Sequence, residues 1–120
     1  MSTIKVDNLQ TTGGAGLYTA RAWVLFNGEG SVAIRGSGNV SSLTDNGTGT
    51  YTTNFASALS SADYGYSHGV SGNASVPDFN SHHWAGETKT TSGFKVRWGY
   101  CNPSDHALGD PRYGGLTVML

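Results

Sequence analysis

Apolar and polar side chains alternate with a period of two over several short stretches of the chain, which is the pattern of half-buried β-strands. In the clearest stretch, residues 93–101, one face carries Phe94, Val96, Trp98 and Tyr100. The same alternation predicts further strands over residues 32–35, 50–55, 62–71 and 116–120. Residues 22–26 are apolar at nearly every position, which predicts a central strand covered on both faces. Both Trp23 and Trp98 are therefore predicted to lie in the core.

Turn-forming residues separate these strands. Asn27-Gly28-Glu29-Gly30 and Asp45-Asn46-Gly47-Thr48-Gly49 favour hairpins, because Asn and Gly tolerate the positive φ that such turns need. Helix-period spacing is missing from every longer window, and the strong helix formers Glu and Lys are scarce. The sequence predicts an all-β fold over residues 17–120, an antiparallel β-sandwich that is jelly-roll-like or a small barrel.

Three segments depart from the alternation. Residues 1–16 combine a short strand candidate, Ile4-Lys5-Val6, with a glycine-rich link, which is typical of an extended N-terminal arm. The apolar side chains that would carry its assembly contacts are Ile4, Val6 and Leu9. Residues 73–92 and 102–115 show no clear periodicity and are predicted as long loops, which in a compact domain are usually functional.

The composition of the chain argues against several classes of function. The net charge is −1 and charged residues make up 12% of the chain, against about 25% in an ordinary domain. This balance argues against nucleic-acid binding and a polybasic membrane anchor. The first ten residues lack a secretory signal pattern, no apolar run is long enough to span a membrane, and Cys101 has no intrachain partner. Thirteen aromatic residues (four Phe, three Trp and six Tyr) argue for a folded protein.

Candidate chemistry is sparse. His82 and His83 are adjacent, and neighbours on a strand point to opposite faces, so they are poorly placed to chelate one ion. The chain has no HExxH or CxxC motif, and no serine stands in a nucleophile-elbow context. Most carboxylates occupy turn contexts, where Asp bonds its own backbone. We therefore expect no enzymatic activity, no metal and no cofactor.

Binding is the stronger expectation. Aromatic side chains on loops fill pockets or stack on sugars, with neighbouring polar groups to orient them. The candidate contact residues in the two predicted loops are Phe79, His82, His83, Trp84, Arg112 and Tyr113. For Trp84 an alternative stays open, in which the indole packs back to cap one end of the sandwich.

The first 55 residues also resemble a known family. After the opening MSTIKVDNLQ, the segments AWVLFNG, VAIR, SGNVSS and DNGTGTYTTNF follow in order. This succession is similar to small structural proteins of tailed phages, notably marine and cyanobacterial ones, that are described as tail-fibre-like. The second half of the chain, residues 57–120, resembles them only in general style.

The resemblance implies a non-enzymatic virion protein, made in the host cytoplasm, that associates with itself as a homotrimer and with other virion proteins. As a tail-fibre or adsorption component it would present loops to the host surface, where a cell-surface glycan is a candidate partner. Two alternatives stay open. A capsid decoration protein would use the arm to grip the lattice, and a free carbohydrate-binding module would share the sandwich.

Overall fold

The fold is described from a computed structural model over residues 2–5, 7, 10–14, 19–71, 82–83, 88–102 and 105–120. These residues contain strands and no helix. The strands are β1 (Ala22–Asn27), β2 (Ala33–Gly38), β3 (Val40–Asp45), β4 (Thr50–Phe55), β5 (Gly65–Ser71), β6 (His82–His83), β7 (Thr88–Lys89), β8 (Gly93–Asn102), β9 (Asp105–Leu108) and β10 (Tyr113–Met119).

The strands form two antiparallel sheets that pack face to face. One sheet has four strands in the order β2-β1-β10-β5. The other has six, with β3-β4-β8-β6 in order and both β7 and β9 also paired with β8. Every described pairing is antiparallel. The predicted all-β sandwich is confirmed.

The core lies between the sheets and is built from alternate residues of the four strands β1, β4, β8 and β10, with Tyr64 added from just before β5. Its centre is a cluster of Phe26, Tyr51 and Trp98, whose ring centroids lie 5.1 to 5.7 Å apart in tilted pairs. The other buried apolar residues are Ala22, Val24, Phe55, Tyr64, Phe94, Val96, Leu116 and Val118. The predicted inward faces of residues 51–55 and 94–98 are thus confirmed, as is the core position of Trp98.

Both predicted hairpins are present. The turn between β1 and β2 has Gly30 at a φ of 67°, and the turn between β3 and β4 has Gly47 at 125° and Gly49 at 66°. In the second turn the Asp45 side chain accepts a hydrogen bond from the Gly47 N–H at 3.0 Å. Such Asx turns explain why short polar residues and Gly occur together there.

Asn39 forms the corner where the chain passes from β2 in one sheet to β3 in the other. It has a φ of 53°, which Asn tolerates better than most residues. Its Nδ2 donates to the carbonyls of Arg21 and Ser57 at 3.0 and 3.1 Å, and its Oδ1 accepts from the Ser57 N–H at 2.8 Å. The Asn39 carbonyl also accepts from the Ala56 N–H at 3.0 Å. One side chain therefore links segments that flank both sheets.

The structure corrects the prediction for β1. This strand is central within its sheet, but only its inner face is covered: Trp23 and Leu25, on the other face, are 39% and 51% exposed. A two-layer sandwich covers only one face of each sheet. Alternate residues of a continuous apolar strand therefore lie on the outer face and remain uncovered. The predicted core position of Trp23 is wrong for this reason.

The strand pattern differs from the sequence prediction in two further places. β3 was not predicted, because only Val40 and Leu43 in it are apolar and most of this edge strand is exposed. The segments predicted as loops contain β6, β7, β9 and the start of β10. Strands of two to four residues are too short to show a period, and they form because β8 offers them a partner.

The described part of the N-terminal arm lies open to solvent. Ser2 to Lys5 are exposed, and Ile4 keeps 88% of its surface accessible. The chain reaches the four-stranded sheet at Arg21, whose N–H donates to the Val118 carbonyl at 2.8 Å. Val6 and Leu9, the other two predicted arm contacts, lie outside the described residues.

Candidate interaction face

The outer surface of the four-stranded sheet is apolar, and it is called the apolar face below. In β1, Trp23 stands opposite Gly38 on one side and Thr117 on the other. Leu25 stands likewise between Gly36 and Gly115, and Gly115 pairs in turn with Gly69 of β5. The large side chains of the face are Trp23, Leu25, Tyr113 and Met119, the last two of which are 52% and 54% exposed.

Glycines let these side chains lie flat on the sheet. A Cβ at Gly36 would lie 3.5 Å from the Trp23 ring, and one at Gly38 would overlap the indole. A Cβ at Gly115 would lie 3.2 Å from a methyl carbon of Leu25. A Cβ at Gly69 would meet no atom of the described residues within 4 Å. The surface is therefore filled around Trp23 and empty beside Gly69.

The empty region is a trough of about 310 Å³, called the trough below. It runs across β1, β10 and β5, and one end lies against β2. The lining residues are Leu25, Phe26, Arg35, Gly69, Val70, Tyr113, Gly114 and Gly115. Arg35 and Tyr113 are the lining residues with polar side-chain atoms, so the trough suits an apolar side chain better than a hydroxyl-rich ligand.

Charged side chains fix the rim of the trough. The Arg35 guanidinium carbon lies 4.5 Å from the centre of the Tyr113 ring, a cation–π geometry. Arg35 Nη2 also donates to the Arg112 carbonyl at 3.3 Å, and Arg112 Nε donates to Glu29 Oε2 at 3.1 Å. An exposed ion pair of this kind adds about 1 kcal/mol or less. Its main effect here is to tie Arg112, the residue before Tyr113, to the β1–β2 turn that carries Glu29.

The outer surface of the six-stranded sheet, called the polar face below, is different. Asn54 Nδ2 donates to Ser42 Oγ at 3.0 Å and to Thr44 Oγ1 at 2.9 Å. Asn46 Nδ2 donates to Thr52 Oγ1 at 2.7 Å. Short polar side chains on this face thus satisfy one another in the plane of the sheet.

The end of the sandwich near Gly28 holds a buried phenol and a carboxylate. Tyr51 Oη donates to Asp110 Oδ1 at 2.6 Å and lies 3.3 Å from the Gly28 carbonyl. The Gly49 N–H donates to the same Asp110 oxygen at 2.8 Å. Burial, with the hydrogen bond and charge of Asp110, raises the pKa of Tyr51 far above its ordinary value. The phenol is neutral at physiological pH and joins the two sheets at this end.

The structure places the predicted contact residues in different settings. Arg112 and Tyr113 lie at the rim of the trough. His82 and His83 form β6, which pairs with Gly99 and Trp98 of β8. The other two, Phe79 and Trp84, lie outside the described residues.

The sequence reasoning missed Trp23, Leu25, Arg35 and Met119 as surface contact residues. The signal for the first two is the unbroken apolar run of β1, a pattern that also favours a strand buried on both faces. Nothing in the sequence pattern marked Arg35, because its partner Tyr113 is 78 positions away.

Other kinds of site find little support in the described residues. Among the described residues, no three His, Cys, Asp or Glu side chains lie close enough together to hold a metal ion. No described helix is long and apolar enough to cross a membrane.

Comparison with known proteins adds no further identification. No family model, no curated protein and no solved structure matches the chain.

Proposed function

We propose that this chain is a non-enzymatic structural protein of a tailed-phage particle that assembles with copies of itself through the apolar face. The proposal joins the resemblance carried by the first 55 residues to one observation on the fold. That observation is the contrast between a polar outer face and an apolar outer face on the same sandwich.

The apolar face supports assembly because it leaves large side chains accessible on a flat, ordered sheet. Trp23, Leu25, Tyr113 and Met119 keep between 39% and 54% of their surfaces accessible. Single exposed apolar residues are normal, but a contiguous group of them usually marks an interaction site. The charged residues that commonly guard a sheet against association are few on this face.

The tail-fibre or adsorption role is our first candidate within this proposal. It rests on the resemblance and on the residues of the segments 73–92 and 102–115, which would face the host surface or a glycan on it. The capsid decoration role is the second candidate. It gains support from Tyr113 and Trp23, because both lie on a broad sheet face suited to contact with a neighbouring subunit.

A free carbohydrate-binding module receives less support. A sugar site combines an aromatic platform with several hydrogen-bonding side chains. The trough has the aromatic ring of Tyr113, but Arg35 and the Tyr113 hydroxyl supply its polar side-chain atoms. Its shape and chemistry fit an apolar protein side chain better.

The experiment has two parts. Light scattering behind gel filtration measures the mass of the purified chain, and we expect an oligomer, with Leu25→Asp giving monomer of unchanged circular dichroism. Immunogold microscopy of intact phage particles then locates the chain. Gold at the tail supports the adsorption role, and gold over the head supports decoration. A monomer at 100 μM concentration (about 1 mg/ml) or unlabelled particles would overturn the proposal.

A further inference from the structure

We propose that the N-terminal arm of a second copy adds as an extra strand to the edge of β5 that no other described strand covers, and places Ile4 in the trough. This inference rests on the proposed function and deepens it, because it names both the acceptor surface and the inserted residue of the self-contact. The partner is another copy of this chain.

The acceptor is an edge strand without the usual protection. β5 pairs with β10 along its whole length and closes one side of the four-stranded sheet. Its sequence, GYSHGVS, contains no Lys, Glu, Asp or Pro, the residues that natural edges use against strand addition. An unguarded edge of seven residues can accept an extended segment through main-chain hydrogen bonds.

The trough gives this edge a side-chain pocket. On the outer face of β5, Gly69 leaves the space above the sheet empty, and the trough opens beside it towards Leu25 and Tyr113. In an added strand, a side chain directly opposite Gly69 would lie about 5 Å away on the same face. Since Gly69 has no side chain, a branched apolar group there can lean across it into the trough.

The arm supplies a side chain of that kind. Ile4 is the most exposed large apolar residue in the described part of the chain, at 88%. Its neighbours Ser2, Thr3 and Lys5 are also exposed, so the segment's backbone is open to a new partner. β-branched isoleucine also has a high preference for strands. The donor and the acceptor each leave apolar surface accessible that the other would cover.

The geometry of the single chain favours exchange between copies. Ile4 does not occupy the trough of its own sandwich, since it remains 88% exposed. Its side chain is therefore available to a neighbour's edge strand.

Cross-linking between two differently tagged chains tests this contact directly. One chain carries Ile4→Cys and the other Gly69→Cys, and a short bismaleimide joins thiols that lie close together. We expect a heterodimer band in the mixture of the two chains. Each variant mixed with wild-type chain controls for reaction at the native Cys101. A band no stronger than in those controls would overturn the inference.

Two matched pairs of variants, compared by sedimentation, test how strongly Ile4 and the trough contribute to self-association. Ile4→Asp should weaken self-association by one to two orders of magnitude, the effect of losing a buried isoleucine, and Ile4→Leu should restore most of it. Gly69→Trp should fill the trough and weaken association similarly, while Gly69→Ala leaves it open. Because these positions are exposed or empty within one chain, the melting temperatures should change little when they are compared at concentrations where every variant is monomeric.

The outcomes separate this inference from the proposed function. If wild-type oligomers form and Ile4→Asp leaves them intact, the inference is wrong, while assembly through the apolar face still stands. If Gly69→Trp associates as tightly as Gly69→Ala, the trough is not the acceptor, and the inference is likewise wrong. A monomeric wild-type chain overturns both proposals.

Discussion

The two outer faces of the sandwich use the same architecture in opposite ways. On the polar face, Asn54 and Asn46 donate to the side-chain oxygens of Ser42, Thr44 and Thr52. On the apolar face, Trp23 and Leu25 lie across glycines, and their outer surfaces remain accessible. Both faces are built from regular strands. Only on the polar face do the side chains satisfy one another by contacts within one chain.

The core and the apolar face of this protein draw on the same residue types. β1 supplies Val24 and Phe26 to the core and Trp23 and Leu25 to the outside. The two sets differ in the face of the strand on which they lie. Substituting an inner and an outer residue of the same type therefore measures what each face contributes to stability and to self-association.

The largest expected effect comes from the two tryptophans that face opposite ways. Trp98 is fully buried against Phe26 and Tyr51, so Trp98→Ala should destabilise the fold by about 3–5 kcal/mol. Trp23→Ala should cost less, about 2 kcal/mol in the isolated chain, because 39% of the Trp23 surface is already exposed. Urea unfolding measures both values.

Equal losses in these two variants would contradict the division into inner and outer faces. Trp23→Phe is the control for the outer site, because it keeps an aromatic ring over Gly36. It should unfold at nearly the wild-type urea concentration.

The next largest effect concerns the corner that joins the two sheets. Asn39→Ala loses the hydrogen bonds to Arg21 and Ser57 and must hold alanine at positive φ, which together should cost about 2–3 kcal/mol. Asn39→Gly loses the same bonds but accepts the φ, so about 1–2 kcal/mol is expected. Thermal unfolding compares the pair, and a glycine variant no more stable than the alanine variant would contradict this account.

A third prediction uses pH at the opposite end of the sandwich. Tyr51→Phe removes the hydrogen bond to Asp110 and should cost about 1–1.5 kcal/mol at pH 7. The folded state raises the pKa of Tyr51, so this group's contribution is fully present below pH 10, the ordinary value for tyrosine. Above it the unfolded chain loses the proton while the folded chain keeps it, and wild-type stability falls.

The difference between wild type and Tyr51→Phe should therefore shrink as the pH rises from 9 to 11 in a series of urea titrations. A difference that stays constant over this range would show that Tyr51 does not retain its proton in the folded state. Tyr51→Phe is also the control, because it lacks this phenol. Its own change in stability with pH shows how all the other titrating groups respond to alkaline conditions.

The elements that could be predicted from sequence are those whose pattern is local. The alternation at 94–98 and 51–55 and the Asn-Gly turns each lie within a few residues, and each of these predictions is confirmed. The failures have a physical origin too. β9 is four residues long and β6 is two, so each depends on pairing with β8 rather than on its own pattern.

The candidate face was harder to predict, because it is assembled from distant parts of the chain. Tyr113 was identified from its position in a turn-rich segment, but Arg35 meets it only through the order of β2, β1 and β10. A continuous apolar run is ambiguous between burial on both sides and an apolar outer surface. The number of layers in the fold resolves that ambiguity, and the five residues 22–26 carry no information about it.

The smallest expected effect on stability comes from exchanging residue types between the two faces. Leu25→Thr lowers the apolar character of one face, and Thr50→Leu adds an apolar side chain to the other. Both side chains are partly exposed on strands, so each change should alter the free energy of unfolding by less than about 1 kcal/mol. Self-association, measured by sedimentation, should weaken at least severalfold in Leu25→Thr and remain unchanged or strengthen in Thr50→Leu. Equal weakening in both variants would mean that the polar face also contributes to assembly, and the contrast between the faces would lose its functional meaning.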